Sequence, residues 1–193
     1  MTLPVFLTAI ISAMLVNNII LSQFLGICPF LGVSKKMESS MGMSAAVAFV
    51  MLLASIVTWP LYHYVLIPNE IAFMSTITFI LVIASLVQLV EMFLKKYSSS
   101  LYKSLGVYLP LITTNCAILG VANNNVALNY GFDVSMYTAI GSAAGFALVI
   151  IAFTAMREQL ESKAIPDAFK GVPISLVVAS FMALAFSGLA GLI

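Results

Sequence analysis

Two cysteines, the only ones in this chain of 193 residues, lie in two copies of one short motif. The first copy is Cys28-Pro-Phe-Leu-Gly-Val33 and the second is Cys116-Ala-Ile-Leu-Gly-Val121, so four of six positions match across 88 residues. Cysteine thiolates are favoured ligands of zinc and of iron–sulfur clusters. Because each copy of the motif carries one thiol, the sequence predicts a single site built from two related halves.

Two other interpretations of the cysteines stay open. A free cysteine in a protein core commonly acts as a small apolar side chain, and a disulfide requires a geometry that the sequence does not show.

A zinc site or an iron–sulfur cluster needs about four protein ligands. His63, the only histidine, lies between two tyrosines and is better explained as an aromatic anchor at a membrane interface. A metal site would therefore need two further cysteines from a second chain, either another copy or a homologous partner.

The elements that must position these cysteines follow from the composition. The chain is 62% hydrophobic and 8% charged, whereas soluble domains carry roughly 25% charged residues. Six runs without Lys, Arg, Asp or Glu reach the ~20 residues of a membrane-spanning helix: 1–34, 39–69, 71–90, 104–132, 134–156 and 171–193. These runs predict an all-α integral membrane protein with six transmembrane helices in a single membrane domain, residues 1–193.

The distribution of positive charge predicts the orientation of these helices. All eight Lys and Arg residues lie in three connectors, around residues 35–36, 95–103 and 157–170. Cytoplasmic loops collect Lys and Arg, so these connectors are expected inside and both chain termini outside. The net charge of +1 gives no support to nucleic-acid binding. The expected surroundings are the lipid bilayer.

The six predicted spans divide into two sets of three, residues 1–97 and residues 101–193. Since three is an odd number of crossings, the two sets must run in opposite directions through the membrane. Inverted repeats of this kind tend to bind their ligand near the membrane midplane, on broken helices at the repeat interface. The two cysteine motifs lie on the first span of each set, as that arrangement requires.

The first span is too long to be a straight helix across the membrane. A helix over residues 4–33 would reach ~45 Å, against a hydrocarbon core of ~30 Å. We expect a break at residues 26–29, where glycine is permissive and proline removes a backbone donor. In the second set, Pro110 and residues 113–115 precede Cys116 and predict a corresponding break. A simple packing kink is the alternative interpretation of both sites.

These residues carry a resemblance to a known family. Asn17-Asn18, the segment from Phe24 to Lys36 and the segment from Leu109 to Val121 resemble the A-type membrane subunits of the Rnf ion-translocating electron transport complexes, and the match covers the whole chain. The related E-type subunits of the sodium-translocating NADH:quinone reductases are also similar. Those subunits usually have Glu-Asn in place of Asn17-Asn18 and threonine in place of Pro29, which favours the Rnf family member.

The resemblance implies a specific cofactor and specific partners. In that family the A-type subunit pairs with a homologous E-type Rnf subunit of opposite membrane orientation. Each of the two gives two cysteines to one intramembrane [2Fe-2S] cluster, and the matching residues here are Cys28 and Cys116. The complex transfers electrons between ferredoxin and NAD while driving sodium ions or protons across a bacterial or archaeal cytoplasmic (inner) membrane. Flavin, nicotinamide and further iron–sulfur centres would belong to other subunits, so no flavin or nicotinamide site is expected in this chain.

A buried cluster with four thiolates carries negative charge that must be compensated. Hydrogen bonds to the sulfurs also set the potential of such a cluster, so Gly26, Ile27, Thr114 and Asn115 are candidates to surround it. Their alternative role is close packing around a kink. A second function also stays open for the chain: an inverted-repeat membrane transporter or channel in which the cysteines are structural. The two functions differ in whether the cysteines are required and whether the chain needs redox partners.

Overall fold

The computed structural model describes residues 3–34, 36–97, 109–161 and 170–188, and all regular structure in these ranges is helical. Of the three expected connectors, residues 35, 98–103 and 162–169 lie outside the described residues. The α-helices are α1 (Leu3–Ile11), α2 (Ile27–Val33), α3 (Met37–Leu61), α4 (Ser75–Tyr97), α5 (Leu109–Thr113), α6 (Cys116–Ala127), α7 (Phe132–Glu161) and α8 (Val172–Ser187).

Three helical segments are long and apolar enough to cross a membrane. They are Met37–Leu66, which joins α3 to a π-helical turn, Ala72–Met92 and Phe132–Leu160. Two shorter apolar helices, Phe6–Val16 and Val172–Ser187, lie near the two ends of the described chain. The all-helical membrane class predicted from composition is therefore confirmed, with three of the predicted spans present as continuous helices.

The centre of the molecule is the contact between α3 and α7, the most extensive contact between any two of the helices. Within a bilayer, helices associate through close packing and interhelical hydrogen bonds rather than through a hydrophobic driving force. Both are present, because the hydroxyls of Ser40 and Thr154 lie 2.8 Å apart in the buried contact. The side chains that pack there are fully buried: Met43, Val47, Met51, Phe146, Val149, Ile150 and Phe153.

Two glycines of α7 let the N-terminal helix approach closely. A Cβ atom added to Gly141 would lie 2.9 Å from the backbone oxygen of Ile10, and one added to Gly145 would lie 2.8 Å from that of Met14. Neither backbone oxygen can move without moving its helix, so only glycine fits. Small residues four apart serve this purpose in membrane helices.

Both helices that lead to a cysteine are interrupted before it. In the N-terminal part, helical structure ends at Val16 and resumes at Ile27, which leaves ten residues of irregular backbone. In the second part, only residues 114–115 separate α5 from α6. The predicted site of the first break is wrong in detail, because Pro29 is the third residue of α2 and not its point of interruption. The first N–H groups of a helix have no partner within it, so a proline there removes no hydrogen bond.

Candidate cysteine ligand site

Cys28 lies in the first turn of α2, directly after the longer break. Gly26 precedes that helix with φ +85°, in the left-handed region that glycine adopts readily. A Cβ atom at this position would lie 3.1 Å from Ala117 Cβ and 3.1 Å from a ring carbon of Phe146. Glycine is thus required both by the backbone conformation and by the space between α6 and α7. The Cys28 side chain is exposed on the surface of the chain.

The irregular backbone before α2 is held by the side chain of Asn18. This side chain is buried, its amide group donates to Met14 O at 2.9 Å, and its oxygen accepts the N–H of Ile20 at 3.1 Å. The hydroxyl of Ser22 donates to the backbone oxygen of Asn18 at 2.7 Å. Unpaired backbone groups are costly in a membrane interior, so these bonds allow a helix to stay open there.

Cys116 is the first residue of α6, and the residue before it caps the helix. The side-chain oxygen of Asn115 accepts the N–H of Ala117 at 3.0 Å, which satisfies one of the free donors at the helix start. Unlike Cys28, Cys116 is half-buried.

One hydrogen bond joins the two cysteine-bearing turns. The backbone N–H of Gly26 donates to Cys116 Sγ at 2.9 Å, across 90 residues of sequence. Since Gly26 precedes Cys28 by two residues, which span at most about 7 Å of chain, the contact brings the two turns side by side. Both cysteines are free thiols, so the disulfide considered from the sequence is not formed. An N–H donor stabilises the anionic form of a sulfur ligand.

These residues fit one half of a four-thiolate cluster. Among the described residues, no group of three or more His, Cys, Asp or Glu side chains could hold a metal ion, so the described part of the chain offers the two thiols alone. The amide nitrogen of Asn115 is buried and has no hydrogen-bond partner in the described structure. Asn115 directly precedes Cys116 in sequence, and a buried donor without a partner suits an added acceptor such as a cluster sulfur.

Comparison with known proteins identifies the family. A family model described as Rnf-Nqr subunit, membrane protein, matches residues 6–193. The chain belongs to this Rnf-Nqr family. It is 54% identical over 182 residues, 94% of this chain and 95% of the relative, to the A subunit of the Na⁺-translocating ferredoxin:NAD⁺ oxidoreductase complex of Acetobacterium woodii.

Two further relatives are named as A subunits of ion-translocating oxidoreductase complexes. The one from Syntrophotalea carbinolica is 52% identical over 187 residues, 97% of each chain. The one from Shewanella sediminis is 50% identical over 188 residues, 97% of this chain and 98% of the relative. The resemblance carried by the cysteine motifs is therefore confirmed over nearly the full length, and the relatives are subunits of enzyme complexes.

The sequence-predicted residues around the cysteines of this Rnf-Nqr family member differ in their contacts. Gly26 binds the Cys116 sulfur, and Asn115 caps the Cys116 helix with its amide nitrogen left free of partners. Thr114 is exposed and its hydroxyl donates to Pro110 O at 2.9 Å within its own turn. Ile27 is half-buried. The surroundings of a cluster stay a prediction for all four, and Gly26 and Asn115 have the contacts that suit it best.

Arg157 is the residue that sequence reasoning missed. The sequence places it in a cytoplasmic connector, because it stands at the end of an apolar run. In the structure it belongs to α7, is 9% exposed and donates to backbone and side-chain oxygens at the end of α2. The sequence offers no periodic signal for this contact, because it joins segments more than 120 residues apart.

Proposed function

We propose that this chain is the A-type membrane subunit of an ion-translocating ferredoxin:NAD oxidoreductase complex. In this role Cys28 and Cys116 are two of the four ligands of an intramembrane [2Fe-2S] cluster, and a homologous subunit provides the other two. The observation that carries the proposal is the hydrogen bond from Gly26 N–H to Cys116 Sγ, which brings the cysteine of one motif against the turn that holds the other. The names of the relatives support the assignment to the complex.

The topology that goes with this function has six membrane spans in two inverted repeats, residues 1–97 and 101–193, within one membrane domain. The order of elements supports it. An interrupted helix is followed by α3 and α4 in the first repeat, and by α7 and α8 in the second. Each cysteine follows its interruption within two residues. With the Lys and Arg connectors on the cytoplasmic side, both termini face outward.

The protein residues hold and tune the site, while the cluster supplies one-electron transfer when it is bound. Cys28 and Cys116 would bind iron as thiolates, Gly26 N–H stabilises negative charge on Cys116, and the Asn115 amide nitrogen is available to a second sulfur acceptor. Hydrogen bonds to sulfur and limited solvent exposure set the reduction potential of such a centre. The described chain thus forms a relay site and needs no nucleotide pocket of its own.

The exposed face around Cys28 is where the second subunit would bind. Cys28 and the neighbouring Phe24, which is 62% exposed, both point away from the chain. A homologous E-type Rnf subunit, in the opposite orientation, would cover them and complete the ligand set. The flavin and remaining iron–sulfur centres then lie on other subunits of the complex, in the bacterial or archaeal cytoplasmic membrane.

Iron and sulfide analysis of the co-expressed pair tests this function. We expect about two iron and two sulfide per pair, with a paramagnetic signal on reduction. Cys28→Ser and Cys116→Ser each remove a ligand and should abolish both the iron and the signal. The matched control is Ser85→Ala on α4, whose hydroxyl donates to Leu81 O of its own helix and whose loss should leave iron content unchanged.

Retention of the partner during purification separates ligand loss from misfolding. A serine variant that co-purifies with its partner but contains no iron supports the cluster. A wild-type pair without iron would contradict it. Serine variants that keep full ion transport without redox partners would instead support the alternative, an inverted-repeat transporter or channel with structural cysteines.

A further inference from the structure

A buried arginine holds the end of the Cys28 helix. The Nη1 atom of Arg157 donates to Leu31 O at 3.1 Å and to Ser34 Oγ at 2.9 Å. Ser34 directly follows α2 and is fully buried. Leu31 follows Cys28 by three residues on α2, a rise of about 4.5 Å along the helix. The guanidinium therefore lies beyond Cys28 by that rise plus the 3.1 Å hydrogen bond, about 8 Å along the helix.

Further contacts attach this end of α7 to α2 and to the start of α3. The ring of Phe30 stacks on Phe153 of α7 with centroids 4.0 Å apart. Glu158, the residue after Arg157, accepts the N–H of Met37 at the start of α3 at 3.1 Å. A seven-residue helix is too short to be stable alone, so the direction of α2, and with it Cys28, depends on such tertiary contacts.

Among the described residues, no carboxylate is hydrogen-bonded to Arg157. Its described partners are a carbonyl, a hydroxyl and the ring of Phe153, whose centroid lies 6.0 Å from the guanidinium carbon. A buried charge is costly unless an opposite charge compensates it. An anionic group bound at Cys28 and Cys116 would supply that compensation from the opposite end of α2.

We propose that Arg157 is a positioning residue for Cys28 and that its positive charge raises the reduction potential of the group bound there. The inference rests on the proposed cluster function. Reduction adds one negative charge, which a buried cation stabilises, because electrostatic interactions at a given distance are stronger in a low-dielectric interior than in water. Loss of the cation should therefore make reduction harder, and keeping a cation should preserve the potential.

The test is a redox titration of the purified subunit pair, followed by the paramagnetic signal of the reduced cluster. Arg157→Gln should lower the equilibrium constant for reduction at least tenfold. For one electron this is a fall of about 59 mV or more in the midpoint potential. Arg157→Lys keeps the charge at neutral pH, so its equilibrium constant for reduction should stay within twofold of the wild-type value. Lys36→Gln is the matched control, because it removes a positive charge from an exposed position at the same end of the molecule. Water and salt screen that charge, so the equilibrium constant for reduction in Lys36→Gln should also stay within twofold of the wild-type value.

The outcomes separate this inference from the proposed function. Arg157→Gln with full iron and an unchanged midpoint would overturn the role of Arg157 and leave the cluster intact. Retention of iron by Cys28→Ser would overturn the cluster itself. Should Arg157→Gln not assemble, Arg157→His decides, because an imidazolium loses its charge between about pH 5 and pH 8. Its equilibrium constant for reduction should then fall about tenfold relative to wild type over that range, and a constant that follows wild type throughout would refute the proposal.

Discussion

The two interruptions that precede the cysteines differ in length and in how they are stabilised. The break before Cys28 extends over ten residues and is held by the buried side chain of Asn18 and by the left-handed backbone of Gly26. The break before Cys116 takes two residues and is closed by the cap from Asn115 and by bonds of Thr114 to Pro110 O. A long opening of a membrane helix requires internal polar partners, whereas a short one can be closed by bonds of one or two residues.

The difference extends to the thiols. Cys116 is half-buried and its sulfur accepts a hydrogen bond from within the chain, while Cys28 is exposed and follows a segment that has no helical ladder of its own. The second half of the chain therefore holds its cysteine in place, and the first half presents its cysteine outward. Gly26 is the point where the two meet, since it ends the long break and binds the sulfur beyond the short one.

The largest effect is expected from Gly26→Ala. An alanine at φ +85° costs roughly 1–2 kcal/mol, and crowding against Ala117 and Phe146 adds roughly 1–3 kcal/mol. We expect a loss of about 3 kcal/mol in the free energy of unfolding, measured by titration with SDS in mixed micelles. Because the N–H of residue 26 would move away from Cys116 Sγ, the iron content of the subunit pair should fall as well.

Gly188→Ala is the matched control for this substitution. Gly188 has φ −63°, within the helical region, and a Cβ atom there would meet no other atom within 4 Å. Its stability and iron content should match wild type. Equal effects of the two substitutions would show that the close approach of the two cysteine turns does not contribute to the free energy of unfolding.

A second comparison sets Asn18→Ala against Asn115→Ala. Asn18 makes two hydrogen bonds to backbone groups, one of them buried, and removing these bonds costs about 1–3 kcal/mol. Asn115 makes one capping bond, and removing a cap costs about 1 kcal/mol. The unfolding free energy should therefore fall more for Asn18→Ala, and the opposite ranking would contradict the dependence of the long break on its internal bonds.

The sequence predicted the helical membrane class, a break close to each cysteine and the family, and these are confirmed, although the first break ends at Gly26 and not at Pro29. Composition and charge-free length suffice for the class, because a membrane helix must satisfy its backbone internally. The six-span count, the inverted repeats and the outward termini stay predictions. The small residues at 141 and 145 predict close packing between helices, and the contact of Gly145 with Met14 bears this out.

Other features depend on contacts that no local pattern carries. Proline is a helix breaker by type, but the position of Pro29 at the start of α2 makes its missing N–H harmless. The side chain of Asn18 bonds to backbone groups of its own segment. The sequence alone does not distinguish such local bonds from hydrogen bonds between helices. The burial of Arg157 arises from packing of α7 on α2, segments that meet only in the folded chain.

The smallest effect concerns the reactivity of the two thiols in the chain purified without its partner. Cys116→Ser isolates Cys28, and Cys28→Ser isolates Cys116. Cysteine modification depends on access as well as on thiolate character, and Cys116 is shielded and hydrogen-bonded where Cys28 is exposed. We expect maleimide to modify Cys28 faster, on the order of tenfold, as measured by mass spectrometry over time.

Two controls give this rate difference its meaning. In SDS, where the fold is lost, the two thiols should react at similar rates, which ties the difference to the structure. Co-expression with the homologous subunit should slow the reaction of Cys28 more than that of Cys116, because only Cys28 starts from an exposed position. Equal rates in the folded chain, or protection of Cys116 alone by the partner, would contradict the view that Cys116 is shielded by its own chain while Cys28 is exposed to the partner.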